Sequence, residues 1–95
     1  LKGLKKMLQQ EFVMRCPQGF HLRPAQVLME SISKFNSTVT LKKNGTEIET
    51  DAKSILGLMS LGLENGESVT VTVNGSDEQQ AMDTVRKLFE SNFGE

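Results

Sequence analysis

Asn65-Gly66-Glu67-Ser68-Val69-Thr70-Val71-Thr72-Val73 is the stretch that decides the fold. Asn-Gly favours a tight turn, and beyond it three valines alternate with two threonines, which is the pattern of a strand with one apolar and one polar face. Strands of a parallel sheet are covered on both sides and read as continuous apolar runs. The alternation therefore predicts an antiparallel sheet with helices packed against one side only.

Working outward, Val39 and Leu41 alternate with Thr38, Thr40 and Lys42 before Asn44-Gly45. This predicts a hairpin whose return strand runs from Thr46 to Thr50 with Ile48 inward. A first strand is expected over Glu11 to Cys16, where Phe12, Met14 and Cys16 oppose Glu11 and Arg15. From Leu22 onward, Ala25, Leu28, Ile32 and Phe35 recur at helical spacing until Asn36-Ser37 ends the segment. A second, short helix is expected from Ser54 to Gly62, with the serine as its cap and the glycine as its stop. Such a helix cannot point Leu58 and Leu61 into the core and also bury Leu56 and Met59, so the latter pair is expected at the surface. Ser76 and Gln79 match a capping box, followed by the apolar stripe Ala81, Val85, Leu88 and Phe89 of a third helix. The order strand, helix, strand, strand, helix, strand, helix predicts an α+β fold, a four-stranded antiparallel sheet with three helices on one face.

The 95 residues are enough for one core, expected over residues 7–95, with residues 1–6 read as a tail or linker. No run approaches the ~20 apolar residues of a membrane span. The net charge of -1 and the absence of Trp and Tyr argue against nucleic acid as a partner. Cys16 cannot form an internal disulfide, which fits a reducing, cytoplasmic setting, and it falls on the core face of a strand, where packing explains it. One Cys and one His cannot build the usual zinc site, and no metal or cofactor is expected.

The chemistry centres on Gly19-Phe20-His21-Leu22-Arg23-Pro24-Ala25, where the first strand gives way to the first helix. A helix start presents backbone N–H groups without intrahelical partners and the positive end of the macrodipole, a setting that suits an anion. Pro24 is tolerated in the first turn, where a missing N–H is no loss. An imidazole can attack phosphorus, and the dianion so formed would gain from the N–H donors, from the positive helix end and from the planar guanidinium of Arg23. The plainer alternative makes His21 a polar cap and Arg23 a solvated side chain. Against it stand the uniqueness of the histidine, the nearby arginine, and a short second helix with more apolar surface than one core-facing stripe needs.

At these residues the chain resembles the histidine-containing phosphocarrier (HPr) family of the bacterial phosphotransferase system, whose active-site motif is Gly-Leu-His-x-Arg-Pro-Ala; Phe20 stands in place of the usual leucine. Ala52-Lys53-Ser54-Ile55-Leu56-Gly57-Leu58-Met59-Ser60-Leu61-Gly62 is similar to the family's second motif. The resemblance implies an open-faced sandwich and a monomeric carrier, not an enzyme, serving sugar transport. In that cycle enzyme I phosphorylates Nδ1 of His21 and a IIA domain takes the phosphoryl group. It further implies that Arg23 contacts the phosphoryl oxygens, that Leu22, Ile55, Leu56 and Met59 dock partners, and that Ser54 is a regulatory position open to a serine kinase. A regulatory binding module that meets a transcription regulator, a nitrogen-branch paralogue, or an HPr-like domain of a larger protein are the alternatives.

Overall fold

Val69, Val71 and Val73 are fully buried, while Thr70 and Thr72 between them stay half-exposed, as the alternation requires. They lie on one of the two inner strands of a sheet in a computed structural model that describes residues 7–94. The elements are β1 (Leu8–Val13), α1 (Leu22–Ile32), β2 (Thr38–Lys43), β3 (Glu49–Asp51), α2 (Ile55–Ser60), β4 (Ser68–Asn74), α3 (Glu78–Glu90) and a 3-10 turn (Asn92–Gly94). The four strands form one antiparallel sheet in the order β1-β4-β2-β3. Three helices cover one face, giving the open-faced sandwich expected of an α+β chain. The expected tail at residues 1–6 lies outside the described residues.

Register places the apolar residues of neighbouring strands side by side. Val71 pairs with Leu41 and Val73 with Val39, and all four are fully buried. Each such side chain contributes roughly 1.5–3 kcal/mol when removed from water. Ala25, Leu28 and Ile32 of α1, Leu58 of α2, and Ala81, Val85 and Phe89 of α3 complete the core. Cys16 is buried in it, as packing predicted.

Several local expectations are corrected. β1 begins at Leu8 and leaves the ladder after Val13. Met14 and Cys16 still face inward, but Met14 exchanges backbone bonds with the 64–67 turn, donating to the Glu67 carbonyl at 2.8 Å and accepting from Gly66 at 2.7 Å. The return strand of the hairpin is shorter than expected, and Ile48 is not inward but 45% exposed. The Thr46 hydroxyl accepts the Ile48 N–H at 3.1 Å, so regular pairing starts only at Glu49. α1 stops at Ile32, where the Ser33 hydroxyl bonds back to the Met29 carbonyl, and Phe35 packs on the core from beyond the helix.

The capping box at Ser76 and Gln79 is absent. Asp77 is the N-cap residue of α3 but its side chain makes no capping bond, and the Glu78 carboxylate accepts the Gly75 N–H ahead of the helix at 3.1 Å. The Asp77 carboxylate instead reaches across to the α1–β2 connection, accepting the N–H groups of Asn36 and Ser37, each at 2.9 Å, and the hydroxyl of the fully buried Ser37. These donors, the hydroxyl first, hold the Asp77 carboxyl below its ordinary value of 3.8.

Candidate functional site

The turn before α1 works only with glycine at its centre. Gly19 has φ +76, and a Cβ there would lie 2.8 Å from the Leu63 carbonyl oxygen and 3.1 Å from Cα of Glu64. That close approach lets the Phe20 N–H donate to the same Leu63 carbonyl at 2.8 Å, while the His21 N–H turns back to the Gly19 carbonyl at 3.0 Å. His21 follows in extended geometry (φ -89, ψ -172) as the N-cap residue of α1, and its side chain makes no capping bond. Its carbonyl accepts the first helical bond, from Ala25 at 3.1 Å. Pro24 has no N–H to offer, so the N–H groups of Leu22 and Arg23 are those left at the helix start beside the imidazole.

The His21 side chain is partly exposed, and Arg23 is exposed on the first turn. An open cleft of about 250 Å³, lined by Pro17, Gln18, Gly19, Glu64 and Asn65, adjoins the turn. Chemically, the arrangement joins a solvent-accessible nucleophilic ring, two backbone donors, a helix dipole and an exposed guanidinium, the components needed to form and hold a phosphoryl group. Among the described residues no group of three His, Cys, Asp or Glu side chains is gathered to hold a metal ion, and no helix is long and apolar enough to cross a membrane.

The second motif lies on α2, which packs against α1. Ser54 is its N-cap residue and its hydroxyl accepts the Gly57 N–H at 3.1 Å. Gly57 is small because the helix presses on Thr50 of β3, whose Cβ would lie 3.0 Å from an added methyl. Leu58 and Leu61 are buried, whereas Leu56 is 81% and Met59 41% exposed, as the length of the helix predicted. Leu22 on the first turn of α1 is also exposed. Ile55 differs from its expected partners, since it is only partly exposed and packs against the core.

Sequence reasoning missed the support beneath this surface. Lys43 donates to the Gly62 carbonyl at 2.9 Å, just past the end of α2, and pairs with Glu67 at 3.2 Å. Glu67 in turn accepts the Glu64 N–H at 2.8 Å, and this bond, followed by Lys43, lowers its carboxyl below the ordinary 4.5. The loop so braced is the one whose Leu63 carbonyl holds Phe20. Such contacts join distant parts of the chain, and no periodicity announces them; the one local signal was Gly19 itself.

Residues 8–91 match the family model described as PTS HPr component phosphorylation site. The chain belongs to the HPr family. It is similar to the phosphocarrier protein HPr of Xylella fastidiosa (strain 9a5c), 38% identical over 89 residues that cover 94% of this chain and 98% of the relative. Two HPr paralogues match as well. The HPr-like protein Crh of Bacillus subtilis is 40% identical over 81% of this chain and 88% of its own length, and the phosphocarrier protein NPr of Proteus mirabilis is 39% identical over 81% and 84%. Among solved structures, HPr from Thermoanaerobacter tengcongensis superposes with a TM-score of 0.85 at 35% identity, covering 93% of this chain and 97% of that one. The same organism's HPr has also been solved as a dimer. The HPr family is a phosphocarrier family of the phosphotransferase system, a class of carriers and not of catalysts.

Proposed function

We propose that this chain accepts a phosphoryl group from enzyme I on Nδ1 of His21 and passes it to a IIA domain, acting as a monomer in the cytoplasm. The observation that carries the reading is the position of the only histidine at the start of α1, beside the two N–H groups that no helical carbonyl can take. The ring nitrogen attacks phosphorus as the bond to the donor breaks, and the transferred group then lies where the dipole, the Leu22 and Arg23 amides and the Arg23 guanidinium stabilise negative charge. The same features aid the forward step and keep the product available to the next acceptor. Leu22, Leu56 and Met59, with the exposed part of Ile55, form the apolar surface on which partners dock, and Ser54 at its border is the regulatory position.

Mass spectrometry after incubation with phosphoenolpyruvate and enzyme I tests this directly. Wild type gains one phosphoryl group and His21→Ala gains none, while Arg23→Ala gains it more slowly with an unchanged melting temperature, since an exposed arginine adds little stability. A His21→Ala chain that is fully phosphorylated refutes the assignment. The 40% identity with Crh supports a second reading, in which the same apolar surface docks a regulatory protein and His21 accepts no phosphoryl group. Failure of wild type to accept a phosphoryl group from enzyme I would favour it.

A further inference from the structure

We propose that Phe93 is a positioning residue for His21, acting through an aromatic contact with Phe20; the proposal rests on the reading of His21 as the phosphoryl acceptor. Asn92 and Phe93 have φ values of +54 and +57. Two successive non-glycine residues in the left-handed region are disfavoured and persist only where the surroundings over-determine them. Here the surroundings are a set of rings. Phe93 is 3% exposed, with its ring edge-on to Phe89 at 4.9 Å between centroids and tilted against Phe20 at 5.6 Å. Phe89 in turn stacks on Phe12 of β1 at 4.6 Å with planes 8° apart. A second tie comes from the Asn92 carbonyl, which accepts a bond from the Cys16 thiol at 3.7 Å and so joins the 3-10 turn to the segment leading into the site.

Phe20 is therefore held twice. Its N–H is bound to the Leu63 carbonyl on one side, and its buried ring rests on Phe93 on the other. It immediately precedes His21, so the orientation of its peptide sets where the histidine enters the helix cap. Phosphoryl transfer depends on alignment of the attacking nitrogen, and small displacements of a reacting group have large kinetic consequences. A purely stabilising role would leave transfer intact wherever the domain remains folded. A positioning role lowers the turnover rate of fully folded protein.

The test uses the full chain with enzyme I and phosphoenolpyruvate, at a temperature where every variant is folded by circular dichroism. Phe93→Ala is compared with Val85→Ala, a fully buried α3 position outside the ring set. The expected result is that Phe93→Ala accepts the phosphoryl group on the order of tenfold more slowly at saturating enzyme I, with KM little changed, while Val85→Ala transfers at the wild-type rate. In a Phe20→Ala background the further change Phe93→Ala should have no additional effect on rate. Should Phe93→Ala fail to fold, Phe93→Leu keeps most of the volume without the flat ring and is judged by the same comparison. Equal rates for the Phe93 and Val85 variants, or additive losses with Phe20→Ala, overturn the proposal. Absence of phosphorylation in wild type would instead remove the acceptor reading on which it rests.

Discussion

Gly19→Ala tests in one substitution how the turn before α1 builds both the fold and the site. The alanine must hold φ +76, a conformation that raises the energy of an L-residue by roughly 1–2 kcal/mol. Its methyl would also lie 2.8 Å from the Leu63 carbonyl oxygen, so the two backbones must separate. Their separation breaks the bond from the Phe20 N–H to that carbonyl, worth about 1 kcal/mol net. Together the losses come to roughly 2–3 kcal/mol, and a domain of this size loses about 4–8 °C of melting temperature per kcal/mol, so the midpoint should fall by about 10–20 °C. Differential scanning calorimetry measures that fall. Because the shifted segment carries His21, phosphoryl acceptance measured well below the new midpoint should also drop by about tenfold or more. A midpoint within about 3 °C of wild type, together with wild-type transfer, would show that the close approach of residues 19 and 63 is not tight and would refute the account of why glycine is needed.

Three further perturbations separate docking, regulation and acid stability. Met59→Glu places a charge on the exposed side of α2 and should weaken binding to enzyme I by about 2 kcal/mol or more, near thirtyfold in Kd by calorimetric titration, with little change in melting temperature; unfolding of the variant would make Met59 a core residue. Ser54→Asp keeps an N-cap acceptor and adds the charge that a helix start favours, so it should melt at the same or a higher temperature while slowing phosphorylation of His21, because that charge must be desolvated on docking; an earlier melt or an unchanged rate would leave Ser54 as a cap alone. Asp77, with its folded pKa below 3.8, contributes stability that is complete above that value and is lost as pH falls through the lower folded value. Urea unfolding of Asp77→Asn should therefore show lower stability at neutral pH and a shallower decline between about pH 5 and pH 2 than wild type, whereas parallel curves would contradict the Ser37 contact as its cause.

What the sequence made legible was whatever a strand or helix expresses in its own neighbours. Val69, Val71 and Val73 declared a one-sided sheet, Ser54 and Gly62 bounded α2, and the split between Leu58 and Met59 followed from a helix too short to bury both sides. His21 and Arg23 were visible as candidates because residue type and position coincided. The errors arose where a distant group took over a local role. Ile48 has the core-facing parity of Thr50, which pairs with Leu41, yet a threonine hydroxyl claims its N–H and the side chain stays outside. Ser76 had the right spacing for a capping box, but Asp77 takes the N-cap position and its carboxylate, like that of Glu78, is engaged outside the helix, by the α1–β2 connection and by Gly75. The brace from Lys43 to Glu67 and the contact of Phe93 with Phe20 are long-range for the same reason.

The strand order carries a consequence for how the chain acquires its shape. In the sheet β1 pairs with β4 alone, its Val13 facing Ser68 more than fifty residues later. At a synthesis rate of about 5–20 residues per second, β1 leaves the ribosome several seconds before its pairing strand exists. During that interval its apolar residues and its unpaired backbone stay available to chaperones or to other nascent chains, and closure of the sheet becomes a late, non-local event that sets the folding rate.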